Sequence, residues 1–124
     1  MENVEFYRCP TCGNVITVLT ASSGRLICCG AQMVKLVAKT NDLGTEKHTP
    51  VIEHEGGKLI AKCGSNPHPM VENHYIMWMA LVTDNRCEIV YLHPGEEPKA
   101  EWCDVEHGTV YAYCNLHSLW ATSF

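Results

Sequence analysis

Val51-Ile52-Glu53-His54-Glu55-Gly56-Gly57-Lys58-Leu59-Ile60-Ala61-Lys62 is the stretch from which the fold is read. Two strand-like runs flank Gly56-Gly57, and a two-residue loop of this kind joins antiparallel strands. Outward from this hairpin the pattern recurs. Residues 74–83 are rich in β-branched and aromatic side chains, and on a strand His74, Ile76, Trp78, Ala80 and Val82 would share one face. Asp84-Asn85 reads as a turn, residues 87–92 as a strand stopped by His93-Pro94-Gly95, and residues 109–114 as a further strand. No segment shows a sustained 3.6-residue period with helix caps. Short strands at regular spacing predict an all-β sandwich or small barrel.

The chain has 124 residues, room for one domain or two small ones, and 46% of them are hydrophobic, enough for a core. Nine Lys and Arg against 14 Asp and Glu give a net charge of −5. Such a balance argues against a nucleic-acid or polybasic membrane binder, because it offers no cationic footprint for phosphates. The longest apolar run, residues 75–82, is too short to span a bilayer. Met1-Glu2-Asn3-Val4-Glu5 is acidic and has no charged-then-apolar leader pattern, so a soluble cytoplasmic protein is expected.

Eight cysteines are many for this length. Disulfide frameworks belong to secreted chains, whereas in a reducing compartment the same residues read as thiolate ligands. Cys9-Pro10-Thr11-Cys12 is a C-x-x-C knuckle and Cys28-Cys29 a vicinal pair, with Pro10, Gly13, Gly24 and Gly30 as flanking turn formers. Two close pairs joined by a hairpin-length segment can converge on one tetrahedral metal. Four thiolates do not choose between zinc and iron. A segment this small needs its metal to fold. The polar stretch 38–45 then reads as a linker. Cys63, Cys87 and Cys103 stand alone and read as structural or incidental thiols.

Seven histidines are also many. His48, His68, His74 and His117 sit in unusual contexts, and Cys114-Asn115-Leu116-His117 is a Cys-x-x-His pair whose side chains can share a metal. Spacing alone does not join His48, His68 and His74 to that pair. His54, His93 and His107 read as ordinary surface or core histidines.

Several motifs, taken in order, carry a resemblance. Cys9-x-x-Cys12 with Cys28-Cys29 is followed by Glu46-Lys47-His48-x-Pro50-Val51-Ile52-Glu53. His68-Pro69-Met70, His74-Tyr75-Ile76 and Cys114-Asn115-Leu116-His117 with Trp120 complete the set. Over essentially its whole length the sequence resembles desulfoferrodoxin, the two-iron class of superoxide reductase. The resemblance implies a small rubredoxin-like domain, residues 1–37, holding iron on Cys9, Cys12, Cys28 and Cys29. It implies an immunoglobulin-like β-sandwich, residues 38–124, holding a second, catalytic iron. There His48, His68, His74 and His117 would be equatorial and Cys114 axial, with the opposite position open.

The implied reaction is reduction of superoxide to hydrogen peroxide with one electron and two protons, a defence against oxidative stress that makes no dioxygen. The resemblance also implies a cytoplasmic homodimer that takes electrons from rubredoxin or a similar donor. Lys47, beside His48, would attract the superoxide anion, which at about 4 Å and a dielectric near 20 is worth roughly 4 kcal/mol. Glu46 would bind the ferric ion after turnover, since a carboxylate prefers the harder ion. An axial Cys114 thiolate would push electron density onto iron, with the Leu116 and His117 backbone N–H groups moderating it. Readings from other classes are a zinc-binding module, a non-enzymatic electron carrier and a dismutase.

Overall fold

A computed structural model describes residues 4–41, 48–64 and 67–124 of the chain. Among the described residues the regular structure is entirely β, and backbone contacts divide the chain into two compact units, Asn3–Val37 and one built on Ala38–Phe124.

In the first unit, β1 (Glu5–Arg8), β2 (Val15–Val18) and β5 (Val34–Lys35) form a sheet in the order β2-β1-β5. Strand β2, Val15-Ile16-Thr17-Val18, is wholly β-branched, which suits an extended backbone. A second ribbon pairs β3 (Ile27–Cys28) with β4 (Ala31–Gln32). Its two-residue loop, Cys29-Gly30, has φ of 53° and 72°, the positive pair that a type I′ turn requires. Of the described residues here only Phe6, Cys9 and Met33 are buried. So few apolar side chains do not hold a fold without a further tie.

The second unit is a sandwich of two antiparallel sheets. One has the order β10-β7-β6, from β6 (Pro50–Glu55), β7 (Lys58–Cys63) and β10 (Lys99–Cys103). The other has the order β12-β11-β8-β9, from β8 (Ile76–Val82), β9 (Cys87–Tyr91), β11 (Thr109–Cys114) and β12 (Ser118–Ser123). The expected hairpin is present: Glu55 pairs with Lys58, and Gly56 and Gly57 take φ of 59° and 78°. Along β7 the alternation is clear, with Leu59, Ala61 and Cys63 buried and Lys58 and Lys62 exposed. These three meet Ala100 and Trp102 of β10, Ile76, Met79 and Leu81 of β8, and Val110, Ala112 and Cys114 of β11 in one core between the sheets. Cys63 is thus a core side chain, while Cys87 and Cys103 are exposed thiols.

Three local readings are corrected. A bulge opposes Cys114 to Ile76 and Tyr113 to Trp78, leaving Met77 without an opposite residue. Ile76 therefore shares the core with Met79 and Leu81, whereas Trp78 stacks on Tyr113 at 5.5 Å. Strands β10 and β12, absent from the sequence reading, complete the two sheets. The stretch taken as a linker begins with paired backbone: Lys39 N–H donates to the Leu119 carbonyl, and Lys39 O accepts from Ala121 N–H, both at 2.9 Å.

Candidate metal centres

Local turn geometry builds the cysteine cluster. Cys9 follows β1, and its carbonyl accepts from the Gly13 N–H at 3.0 Å, with Gly13 at φ 82°. That closes a tight turn and brings Cys12 back over Cys9. Cys28 ends β3, and Cys29 opens the type I′ turn in a left-handed conformation rare for a residue with a Cβ. All four sulfurs lie within 4.8 Å of one another, and all four thiols are free. The Cys12–Cys28 sulfur distance is 3.6 Å and the Cys28–Cys29 distance 4.0 Å. A metal–sulfur bond of about 2.3 Å gives a tetrahedron with edges of roughly 3.8 Å, so these spacings suit one metal.

The electrostatics agree. The backbone N–H of Cys12, 3.4 Å from Cys9 Sγ, is the main cause that lowers the Cys9 thiol to about 6. Hydrogen bonding with Cys12 pushes Cys29 up to about 12 and also raises Cys28. Four thiolates cannot all ionise at such spacing without a cation between them. The Asn14 side-chain amide donates to Cys28 Sγ at 3.8 Å, a support from outside the four.

The second cluster lies at one end of the sandwich. Cys114 ends β11, and a three-residue loop carries His117 back beside it before Ser118 starts β12 at φ 67°. His48 precedes β6, while His68 and His74 lie on the connection from β7 to β8. The ligand atoms of all five residues fall within 4.8 Å of one another. The imidazoles form a closed square. Centroids are 4.7 Å apart for His48–His68, 4.8 Å for His68–His74, 5.1 Å for His74–His117 and 4.8 Å for His117–His48, each pair edge to face. His117 turns Nδ1 to within 3.1 Å of His48 Nε2 and 3.7 Å of Cys114 Sγ.

Burial grades across the square: His68 and Cys114 are buried and His117 is exposed, so one side faces solvent. His68 Nδ1 donates to the Pro69 carbonyl at 2.7 Å, which fixes the tautomer and leaves Nε2 as an acceptor. That Nε2 is buried without a hydrogen-bond partner among the described residues. Leaving such a group unsatisfied costs about 1–3 kcal/mol, and an electron-pair acceptor at the centre of the square removes the cost. Burial pushes His68 down to about 4, so the ring is neutral and able to ligate. Burial also pushes the Cys114 thiol up, while the backbone N–H groups of Leu116 and His117 and the Lys39 charge pull it back. Four imidazoles and one thiolate make a donor set that suits iron.

Surrounding residues fix this arrangement. The Asn115 side chain accepts from Tyr75 N–H and donates to the Asn73 carbonyl, each at 3.0 Å. It thereby ties the His74 loop to the Cys114–His117 loop. Trp120 lies flat against His48 at 4.5 Å and 13°, and its Nε1 donates to the His117 carbonyl at 3.0 Å. Sequence assigns no role to Asn115, although it sits inside the Cys114–His117 motif, or to Lys39, because their roles depend on contacts across the fold. His54 pairs with Asp104 and His93 with Glu96, outside both clusters. Glu46 and Lys47 lie outside the described residues.

Comparison with known proteins follows the same division. A family model described as Desulfoferrodoxin matches residues 40–123, and one described as the desulfoferrodoxin N-terminal domain matches residues 1–36. A desulfoferrodoxin homolog of Archaeoglobus fulgidus is 46% identical over 120 residues, covering 96% of each chain. A superoxide reductase of Pyrococcus horikoshii is 33% identical over 108 residues, covering 71% of this chain and 94% of its own. The crystal structure of the superoxide reductase from Treponema pallidum superposes with a TM-score of 0.81 over 98% of this chain and 99% of its own, at 24% identity. At that identity the likeness speaks for the fold alone.

Proposed function

This chain belongs to the desulfoferrodoxin family, and from that premise we propose that it is a superoxide reductase. The observation that carries this reading is the closed square of four imidazoles around one buried thiol, open to solvent on one side. In this reading Cys9, Cys12, Cys28 and Cys29 hold a first iron, and His48, His68, His74, His117 and Cys114 hold a second. Held by these five residues, iron would supply one-electron redox chemistry, with the electron coming from an external donor. Superoxide, one electron and two protons then give hydrogen peroxide.

The chain's own groups do the rest. Neutral His68, with its tautomer set by Pro69, offers a lone pair without losing a proton first. Cys114 must become a thiolate, and the Leu116 and His117 N–H groups stabilise that charge in a buried place. The exposed side at His117 lets a small anion and protons reach the centre from water. In this reading Lys47 would attract the anion, and the Glu46 carboxylate would be a ligand for ferric iron. A rubredoxin-type electron donor, a homodimer and a cytoplasmic location belong to the same reading. Among the described residues, no helix is long and apolar enough to cross a membrane.

Metal analysis with a visible spectrum, followed by superoxide kinetics with product assay, tests it. Two irons per chain, a long-wavelength band on oxidation, and peroxide without dioxygen are expected. Zinc alone after anaerobic iron reconstitution, or dioxygen among the products, would overturn it.

A further inference from the structure

Lys39 lies outside every motif in the sequence, yet it is built into the edge of the second cluster. Its backbone bridges β12 in parallel opposite Trp120, which fixes where its side chain starts. Its Nζ donates to the His117 carbonyl at 3.3 Å and sits 5.0 Å from the centre of the Trp120 ring. The same carbonyl accepts from Trp120 Nε1, and the same indole backs His48. One ammonium thus engages the backbone of His117 and the support of His48. Among the described residues Lys35, Lys58, Lys62 and Lys99 pair with carboxylates, whereas Lys39 has no such partner to neutralise it. Its charge also reaches Cys114 and favours the thiolate. At 3.3 Å from the His117 carbonyl the charge lies well inside the roughly 8 Å screening length at physiological salt, so salt screens it little at that residue's backbone.

We propose that Lys39 is an electrostatic positioning residue that holds a fixed positive charge beside the second cluster, raises the reduction potential of iron bound there and adds to the attraction for superoxide. The proposal rests on the four-histidine, one-cysteine iron reading. Lys39 takes no part in electron transfer: each turnover passes one electron from an external donor to superoxide, and the charge only stabilises the more electron-rich state. In a chain of net charge −5 a local cation must offset repulsion of the substrate anion by the rest of the molecule.

The test uses the full two-iron chain with Lys39→Met, Lys39→Glu and Lys39→Arg, reading both midpoint potentials by optical titration beside iron content. Lys39→Met should move the second iron to lower potential, Lys39→Glu should move it about twice as far because the energy is linear in charge, and Lys39→Arg should leave it near the native value. The first iron should not shift in any variant. A Lys39→Met potential equal to the native one, with two irons still bound, would overturn the proposal alone. Loss of the second iron in all three variants would overturn it in favour of a purely structural clasp. A native chain that binds no second iron would overturn the parent reading as well.

Discussion

Replacing Asn115 by Ala removes the side chain that joins the two loops carrying His74 and the Cys114–His117 pair, while leaving every proposed ligand in place. Two hydrogen bonds of 3.0 Å are lost, one partly buried and one exposed. Net values of about 0.5–1.5 kcal/mol each, with the partly buried one at the upper end, sum to about 2 kcal/mol. The backbone bond from Asn115 N–H to the Tyr75 carbonyl at 3.3 Å remains, so the loops part without unfolding. For a unit of this size 1 kcal/mol is worth about 4–8 °C, giving a fall in Tm of about 8–16 °C. If the whole loss falls on holding iron, its release to a chelator quickens by up to about 30-fold, since 1.4 kcal/mol is tenfold. The assay is thermal unfolding and chelator-driven release of the second iron, with the spectrum of the first iron as internal reference. Leu116→Ala, at an exposed neighbour, is the control and should stay within about 0.5 kcal/mol of native. Native release and native Tm in Asn115→Ala would show that the clamp does not hold the site and refute the reasoning.

Cys114→Ser should abolish superoxide reduction and the cysteinate-to-iron band of the second site, while the first site keeps its spectrum; full retained turnover would remove the thiolate from the mechanism. Lys47→Ala should slow the second-order reaction with superoxide at low salt, and Glu46→Ala should leave that rate nearly unchanged while altering the ferric spectrum; stopped-flow or pulse-radiolysis traces separate the two. For the metal-free chain, the depressed His68 predicts an acid-labile second unit. The unfolded histidine, near 6.5, binds a proton before the folded one, near 4, so stability is present above about pH 6.5 and is lost as pH falls toward 4. Chemical denaturation between pH 4 and 7 measures this, and His68→Gln should flatten the profile.

Parts of this molecule announce themselves locally and parts do not. Gly56-Gly57 is legible because both residues need positive φ, and the cysteine knuckle is legible because its ligands are close in sequence and flanked by turn formers. The bulge at Met77 has no sequence mark, so reading residues 74–83 as a regular strand put Trp78 on the wrong face. Strand β12 follows a loop whose left-handed residue is Ser118 rather than glycine, which hid the turn. The histidine square joins segments distant along the chain, so spacing could suggest Cys114 with His117 but could not bring His48, His68 and His74 to them. Only the family resemblance did that; it contained Asn115 without a role and did not include Lys39, and both roles come from side-chain contacts across the fold.

The square also has a topological consequence. His48 and His117 meet at 3.1 Å although 69 residues separate them along the chain. A metal gripping all four rings would therefore act as a reversible cross-link, closing large loops at the end of the sandwich where the strands themselves give out. Entropy of closure rises only slowly with loop length, so one such clasp adds to the Asn115 and Trp120 ties among three connections at little more cost than a short one. Iron occupancy would then report on the order of the chain as well as on its redox state. The emptied protein should keep its strands and core, and its first motion should be the parting of these loop ends.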